Sequence, residues 1–402
     1  MRLIVTKRVK PVKVGRVDIL NVLIPMLSVL IGVLITTLIF YIAGVSPDII
    51  LKELFLGFTS PQMVRYFVLL TVLGIALALA FNASVWNIGA EGQMIWGMIA
   101  AGYIGLFIAS TYMYVSPSEL KLYENMSGAV IIDRSPVKPV VSLLNMDPLL
   151  GQLLMVLAGV VAGGLWALIP AVLKAYLDID EVASTLLLNY VAYYLYNQVV
   201  SVNLRGLSVQ ARQFFRTDIL HDALRFQSVP GFTVTYQEVL IALISFTAIF
   251  LMYKYTSIGL RLKVLGSNPH LLRAVGVDER KYVLLALFLS GALAGAVGAS
   301  LFAGVTYKLE KITNIVSPPT MGLGYTAILV TWLSMLDLRI IPIFAWIVAS
   351  LFQSGMLLES EVKSLGITSL TGATISYTLI GSILVTFTIF RIFSEYTIKV
   401  RR

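Results

Sequence analysis

The sequence is poor in the residues that bind metals and form cross-links. Its 402 residues include no cysteine and only two histidines, His221 and His270. The absence of cysteine excludes disulfides, cysteine-bound zinc and iron–sulfur clusters, and two histidines far apart in sequence do not make a ligand set. We therefore expect no metal site and no redox centre in this chain.

Charged residues are also scarce, and long apolar segments stand in their place. Only 13% of the residues are charged and 58% are hydrophobic, with a mean hydropathy of +0.88, whereas soluble domains average about 25% charged residues. A helix needs about 20 apolar residues to cross a bilayer. Such windows predict an all-α polytopic membrane protein with about ten spans, at residues 20–43, 66–81, 93–115, 149–173, 182–200, 239–256, 282–304, 321–336, 340–358 and 375–393.

The distribution of basic residues predicts how these spans are oriented. Six basic residues precede the first span, and 18 of the 30 in the chain fall on the amino-terminal side of the membrane if ten spans alternate. Because Lys and Arg are enriched in cytoplasmic loops, both termini are predicted to be cytoplasmic. The net charge of +9 then reflects topology, so membrane lipids are expected partners and nucleic acid is not.

Ten spans divide into two halves of five, and an odd number of spans per half inverts the second half in the membrane. We therefore predict two inverted five-helix repeats within one membrane domain, residues 1–402. Its parts are a basic cytoplasmic tail (1–19), a first half (20–200), an external loop (201–237) and a second half (238–402) that includes a cytoplasmic loop (257–281).

Two polar interruptions lie just before the third and eighth predicted spans. The first runs from Phe81 to Gln93 and combines glycines with polar residues. The second runs from Ser317 to Tyr325 and combines glycines with prolines. Broken helices are tolerated at membrane depth only where protein or a water-filled cavity satisfies the freed backbone groups. We predict that both breaks line a transport path, the alternative being ordinary turns outside the membrane.

The first break contains the segment Asn87-Ile88-Gly89-Ala90-Glu91-Gly92-Gln93. Its glycines allow a sharp turn, and its carboxylate and amides are suited to capping exposed backbone groups. The segment resembles the NIGxEGQ signature of permeases for nucleosides and related sugars in the ATP-binding cassette (ABC) transporter superfamily. Residues 181–190, 259–277 and 290–298 resemble further segments of that family in the same order. The resemblance covers roughly residues 66–393.

The resemblance implies partners outside this chain. No segment matches the phosphate-binding loop GxxxxGK[ST], so ATP and Mg are expected on separate ABC ATPase subunits and no cofactor on this chain. A second permease copy or a paralogous permease is expected to complete the pore, and an extracellular substrate-binding lipoprotein to dock on the outer loops 44–65, 116–148 and 201–237. Segment 116–148 is longer than the family leads us to expect, and its role is unassigned.

The predicted cytoplasmic loop contains signals for one short helix. Asn268 can cap it, Pro269 suits the first helical position, and Gly276 provides a stop. The resemblance implies that this is a coupling helix that docks into the ATPase subunit. The alternative is a surface helix held at the lipid headgroups by basic residues. The expected coupling residues are Arg261, Asn268, Pro269, Leu271, Leu272, Arg273 and Gly276.

Several polar and aromatic side chains within the spans are candidates for substrate contact. Stacking and amide hydrogen bonds would suit a nucleoside, but polar groups in lipid also tie helices together. Glu91 is the strongest single candidate, because placing a carboxylate within the membrane costs free energy and such a residue marks a functional site by default. Its alternative role is a buried cap across the broken helix. The predicted pathway residues are Trp86, Asn87, Glu91, Gln93, Thr185, Asn189, Tyr193 and Thr326.

Small residues recur in the fourth and seventh predicted spans and predict close helix packing there. They are Gly159, Gly163, Gly164, Ser290, Gly291, Gly295, Gly298 and Ser300.

The function expected from these features is the permease subunit of an ATP-driven importer of nucleosides or related purine and sugar compounds in the plasma membrane, working by alternating access. An ion-coupled secondary transporter is one alternative, although Glu91 is the only clear intramembrane coupling group. A membrane-embedded enzyme would need paired carboxylates or a nucleophile with its base, so we expect no catalytic residue. Ribose, other simple sugars and branched-chain amino acids are alternative substrates.

Overall fold

Helices make up most of the chain in the structure, a computed structural model that describes residues 2–7, 20–313, 318–364 and 372–401. π-Helical turns continue three of these helices, at Ile104–Ile108, Val199–Asn203 and Phe302–Thr306. The helices are α1 (Leu20–Ile42), α2 (Pro47–Thr59), α3 (Pro61–Asn82), α4 (Ala90–Tyr103), α5 (Leu120–Glu124), α6 (Pro148–Leu177), α7 (Glu181–Gln198), α8 (Val209–Gln213), α9 (Tyr236–Tyr255), α10 (Ser257–Ser267), α11 (Pro269–Ala274), α12 (Glu279–Leu301), α13 (Leu323–Leu333), α14 (Ile341–Ser364) and α15 (Gly372–Glu395).

Seven of the described helices are long and apolar enough to cross a membrane, namely α1, α3, α6, α9, α12, α14 and α15. Helices also occupy the other three predicted spans, as α4, α7 and α13, although α13 has only 11 residues. The prediction of a largely helical polytopic membrane protein is therefore confirmed. The count of ten spans, the inverted repeats, the domain boundaries and the cytoplasmic termini stay predictions.

The expectation that the chain is all-α is wrong in two places. The described ends pair as antiparallel strands, and a three-stranded antiparallel sheet with β4 at its centre lies between α4 and α6. The sheet segments are rich in β-branched and aromatic residues, which favour strands. Helix α4 and its π turn therefore end at Ile108, before the end of the predicted span 93–115. The strands are β1 (Arg2–Lys7), β2 (Ser110–Tyr114), β3 (Ala129–Asp133), β4 (Val140–Leu144) and β5 (Tyr396–Arg401).

The segments predicted as outer loops are folded onto their neighbours. The segment 44–65 contains α2, which packs against α14. The hydroxyl of Ser354 on α14 donates a hydrogen bond to the carbonyl of Leu54 on α2 at 3.3 Å. In the segment 201–237, the backbone N–H of Val209 donates to Asp133 Oδ2 of the sheet at 2.9 Å. The long segment 116–148 therefore forms a folded cap together with this loop.

Helices α4, α6 and α12 meet through small residues, which the sequence predicts for α6 and α12 but not for α4. A Cβ atom on Gly163 of α6 would collide with the carbonyl oxygen of Gly291 on α12, and one on Gly97 of α4 would collide with that of Gly295. The same centre includes α3, whose apolar window is 78% buried, whereas that of α9 is only 17% buried. The outward side chains of α9 are therefore left to contact lipid.

The substitution Gly295→Leu should lower the amount of folded protein without altering substrate preference. The added side chain has to displace the backbone of Gly159 and Gly163, and overpacking typically costs about 1–3 kcal/mol. Gly381→Leu is the matched control, because a Cβ atom there meets nothing within 4 Å. The measurement is the yield and melting temperature of purified protein, and a normal yield for Gly295→Leu would contradict the packing argument.

Candidate functional site

The two helix breaks predicted from the sequence lie against each other, and Glu91 joins them. Glu91 sits in the first turn of α4 and is fully buried. One carboxylate oxygen accepts a hydrogen bond from the hydroxyl of Thr320, and the other accepts one from the backbone N–H of Gly324 at 2.8 Å. A carboxylate is favourable at a helix N-terminus, where backbone N–H groups lack intrahelical partners. Glu91 of α4 therefore caps α13.

The second break turns at Gly322, directly before α13. Gly322 has φ +67°, in the left-handed region that favours glycine. A Cβ atom at this position would also collide with the hydroxyl of Tyr377 on α15. Ser317, the first residue of this predicted break, lies outside the described residues. The turn thus depends on the absence of a side chain at Gly322.

The first break is held by a pair of buried amides. Asn87 and Gln93 exchange two hydrogen bonds, each of 2.9 Å. The Asn87 side chain also accepts from the backbone N–H of Gly89 at 3.0 Å and donates to Ser290 Oγ on α12 at 2.8 Å. These two predicted pathway residues therefore cap the break and attach it to the densely packed centre.

Helix α7 supplies the opposite side of the same break. Thr185 and Asn189 are buried on one face, as their spacing predicts. The Thr185 hydroxyl accepts from the backbone N–H of Ile88 at 3.2 Å, and Asn189 Oδ1 accepts from that of Gly92 at 2.9 Å. Asn189 Nδ2 also donates to the hydroxyl of Tyr325 on α13 at 3.1 Å. Asn189 is thus bonded to both breaks.

Aromatic rings surround this polar cluster. Trp86 stacks on Trp332 of α13, with ring centroids 5.3 Å apart and planes at 11°. Phe81 packs on Trp86 at 4.9 Å. Tyr193 is buried and meets Tyr190 edge-on at 6.3 Å, and 45% of the Tyr190 side chain is exposed. The predicted aromatic candidates therefore lie beside the breaks, close to the hydrogen-bonded residues.

Thr326 is placed differently from the other candidates. It is buried, and its hydroxyl donates at 3.0 Å to the carbonyl of Gly322, the residue directly before its own helix. The sequence indicates no individual role for Thr320, Tyr325 or Trp332. Thr320 and Tyr325 lie inside the second predicted break, and that position is a usable sequence signal for the site. The sequence around Trp332 contains no such signal. Among the described residues, no three His, Asp or Glu side chains form a group that could hold a metal ion.

The predicted coupling helix is present as α11. Asn268 Oδ1 accepts from the backbone N–H of His270 at 3.1 Å, Pro269 occupies the first turn, and Gly276 has φ +73° beyond the helix end. The local signals for the start and stop of this helix are confirmed. Its docking role stays a prediction.

The exposed face of α11 is smaller than the sequence predicts. The Leu271 side chain is 53% exposed, but that of Leu272 is 2% exposed and packs in the core of this chain. Leu272 therefore holds the loop in place and is not available to a partner. The Arg273 guanidinium donates to Glu279 Oε2 at 2.7 Å, and this hydrogen bond raises the pKa of Arg273. Arg261 donates to the hydroxyl of Tyr282 at 2.5 Å.

The loop that carries α11 also touches the first break. Ser84, in the turn after α3, donates from its hydroxyl to the carbonyl of Gly266 at 2.8 Å. A Cβ atom on Gly266 would collide with the carbonyl oxygen of Asn82. The end of α10 is therefore in direct backbone contact with the turn that leads to Asn87.

Comparison with known proteins gives a family and several relatives. Residues 61–389 match the family described as the permease component of branched-chain amino acid transport systems. The guanosine ABC transporter permease protein NupP of Bacillus subtilis is 23% identical over 328 residues, covering 78% of this chain and 79% of the relative.

Two further relatives match this chain, one over a slightly longer segment than NupP does and one over a shorter segment. The nucleoside ABC transporter permease protein NupB of Lactococcus lactis is 22% identical over 346 residues, covering 83% of this chain and 84% of the relative. The glucose ABC transporter permease protein TsgB13 of Haloferax volcanii is 27% identical over 266 residues, covering 64% of this chain and 59% of the relative. No solved structure matches the chain.

Substitutions at Glu91 should rank by how many of its hydrogen bonds they remove. In Glu91→Gln the amide oxygen can still accept from the N–H of Gly324, and the amide nitrogen can donate to the Thr320 hydroxyl in place of accepting from it. The main loss is then the charge at the helix end, which costs about 1 kcal/mol. Glu91→Ala leaves the buried N–H of Gly324 without an acceptor, at a cost of about 1–3 kcal/mol in addition to the cavity. Glu119→Ala, at an exposed carboxylate, is the control.

The measurement is thermal unfolding of the purified permease. A Glu91→Ala variant as stable as the wild type would show that the carboxylate does not hold the two breaks together. Substrate uptake by the Glu91→Gln variant adds a second readout, since intact uptake would restrict Glu91 to packing.

Proposed function

Because this chain belongs to the family described as the permease component of branched-chain amino acid transport systems, we propose that it is the membrane subunit of an ATP-driven importer of nucleosides. It is an ABC transporter permease of the nucleoside and simple-sugar type, as the segment Asn87–Gln93 indicated, and a multi-pass protein of the plasma membrane. It is a transport component and not an enzyme.

The observation that carries the nucleoside assignment is the pair of relatives whose names state guanosine or nucleoside transport. Each is similar to this chain over about four fifths of both lengths. The aromatic rings beside the breaks support the same substrate class, because a nucleobase can stack on Trp86 or Tyr190 as it passes, and stacking on an aromatic ring is worth about 1–3 kcal/mol per base.

A simple sugar is the second candidate substrate, and one observation favours it. The relative TsgB13, whose name states glucose transport, has the highest identity of the three, at 27%. It covers less of this chain than the two nucleoside relatives do. A sugar has no π-face of its own to stack on an aromatic ring as a nucleobase does, so nucleosides are the stronger proposal.

ATP hydrolysis is assigned in this proposal to separate ABC ATPase subunits. Each ATPase would dock on α11, and movement there would reach the first break through the contact between Gly266 and Ser84. A second permease would complete the pore, and an external substrate-binding lipoprotein would deliver the substrate to the opposite side. Alternating access then opens the cluster around Glu91 to one side of the membrane at a time.

Uptake of a labelled nucleoside should depend on this chain. We expect uptake to fall to background in cells without the chain and to return when the wild-type chain is restored. Excess unlabelled nucleoside should compete, whereas excess glucose or leucine should not. Vanadate, which blocks ABC ATPases, should abolish uptake in membrane vesicles. Competition by glucose alone would favour the sugar importer, and uptake that resists vanadate but fails with an ionophore would favour an ion-coupled transporter.

The coupling proposal predicts that Leu271→Asp weakens association with the ATPase subunit about tenfold or more. Burial of one leucine side chain contributes about 1.5–3 kcal/mol, and Leu271 is the exposed leucine of α11. Leu122→Asp is the matched control, because Leu122 is also exposed but lies on the cap formed by segment 116–148. The measurement is the amount of ATPase that co-purifies with the tagged permease. Equal recovery from both variants would overturn docking at this face.

A further inference from the structure

A cavity with basic lining residues lies at the carboxyl-terminal end of α9, and Asn82 at the start of the first break also lines it. Its volume is about 440 Å³, within the range of ligand-binding pockets, which is roughly 300–1,000 Å³. Three basic side chains line it, Lys254 of α9, Lys263 of α10 and Arg339 before α14, together with Tyr253 and Phe250. Three separate elements thus bring positive charge to one cavity.

The two lysines of this cavity have no carboxylate partner among the residues that the structure describes. Lys254 lies over the rings of Phe250 and Tyr255, at 5.7 and 4.9 Å from their centroids. Lys263 donates to the carbonyl of Tyr253 at 3.3 Å and lies over its ring at 5.4 Å. Each ammonium has three N–H donors, so both keep donors for an anion.

The carboxylate that lines the cavity is already neutralised. Asp337 accepts two hydrogen bonds from the Arg339 guanidinium, at 3.0 and 2.6 Å. These bonds lower the pKa of Asp337, so the pair stays ionised at neutral pH. The net charge of the cavity therefore comes from Lys254 and Lys263.

An apolar stripe leads from the cavity along the outside of α9. Leu240, Leu243, Ile244 and Leu251 recur at helical spacing and are 57%, 60%, 58% and 45% exposed. The stripe ends at Tyr255, which is 69% exposed, and exposed tyrosines at the ends of spans mark the membrane–water interface. Acyl chains can lie along this stripe while a headgroup occupies the cavity.

We propose that this cavity binds the phosphate headgroup of an anionic phospholipid through Lys254 and Lys263, with the acyl chains of that lipid along α9. Basic pockets beside membrane helices recognise anionic headgroups in this way. A free phosphate would use the two lysines but leave the apolar stripe of α9 without a role. An acidic surface of a partner protein would equally leave the stripe unexplained.

The test is native mass spectrometry of the purified full-length permease after equilibration with phosphatidylglycerol or phosphatidylcholine. The wild type should retain phosphatidylglycerol in preference to phosphatidylcholine. Each basic residue near an anionic lipid surface contributes about a fivefold gain in binding, so Lys254→Gln with Lys263→Gln should weaken retention about 25-fold. The matched control removes two exposed lysines of the cap, Lys121→Gln with Lys138→Gln, and should retain the lipid.

A charge-conserving pair, Lys254→Arg with Lys263→Arg, separates loss of charge from loss of fold and should retain the lipid. Equal retention of phosphatidylglycerol by the Gln pair and the wild type would overturn the proposal, as would equal retention of both lipids by the wild type. Binding of inorganic phosphate without any retained lipid would assign the cavity to a free anion instead. If the Gln pair loses the ATPase subunit but keeps the lipid, the cavity belongs to the protein interface.

Discussion

The structure depends on the need to satisfy backbone groups where helices begin inside an apolar protein. α4 and α13 both start next to buried breaks, and the first backbone N–H groups of any helix lack intrahelical partners. The hydrocarbon core supplies none. Glu91 provides the acceptor for α13, and Asn189 provides one for α4. Because each acceptor comes from another helix, these two contacts fix how α4, α7 and α13 lie relative to one another.

The hydrogen-bonded breaks are fastened to a rigid centre on one side and to a loop on the other. Asn87 is bonded to Ser290 of α12, which belongs to the glycine-mediated packing of α4, α6 and α12. Ser84, three residues before Asn87, is bonded to Gly266 at the end of α10. A close-packed centre moves little, because side chains and backbones there leave no free volume. Displacement of the loop would therefore be absorbed in the turn between Ser84 and Asn87.

The sequence predicted helices wherever apolar residues run for about 20 positions, and it predicted α11 from Asn268, Pro269 and Gly276. These signals are local, since each depends on neighbouring residues. It did not predict that Glu91 meets Thr320 and Gly324, more than 200 positions away. Nor did it predict that Leu272 is buried, because a six-residue helix with two adjacent leucines shows no preferred face. The sequence does not indicate the sheet of segment 110–144, because its first strand, Ser110–Tyr114, continues the apolar run of the predicted span 93–115.

The hydrogen bonds of the breaks also limit how a substrate can be recognised. In this conformation the polar side chains of the breaks are hydrogen-bonded within the chain, namely those of Asn87, Glu91, Gln93 and Asn189. A substrate that bonded to any of them would first have to separate the breaks, and each buried group left without a partner costs about 1–3 kcal/mol. The summed cost of several unpaired groups is greater than the free energy that one small ligand gains from its polar contacts. Substrate contact with this cluster therefore requires a conformation driven from outside the chain, which is the role proposed for the separate ATPase subunit docked on α11.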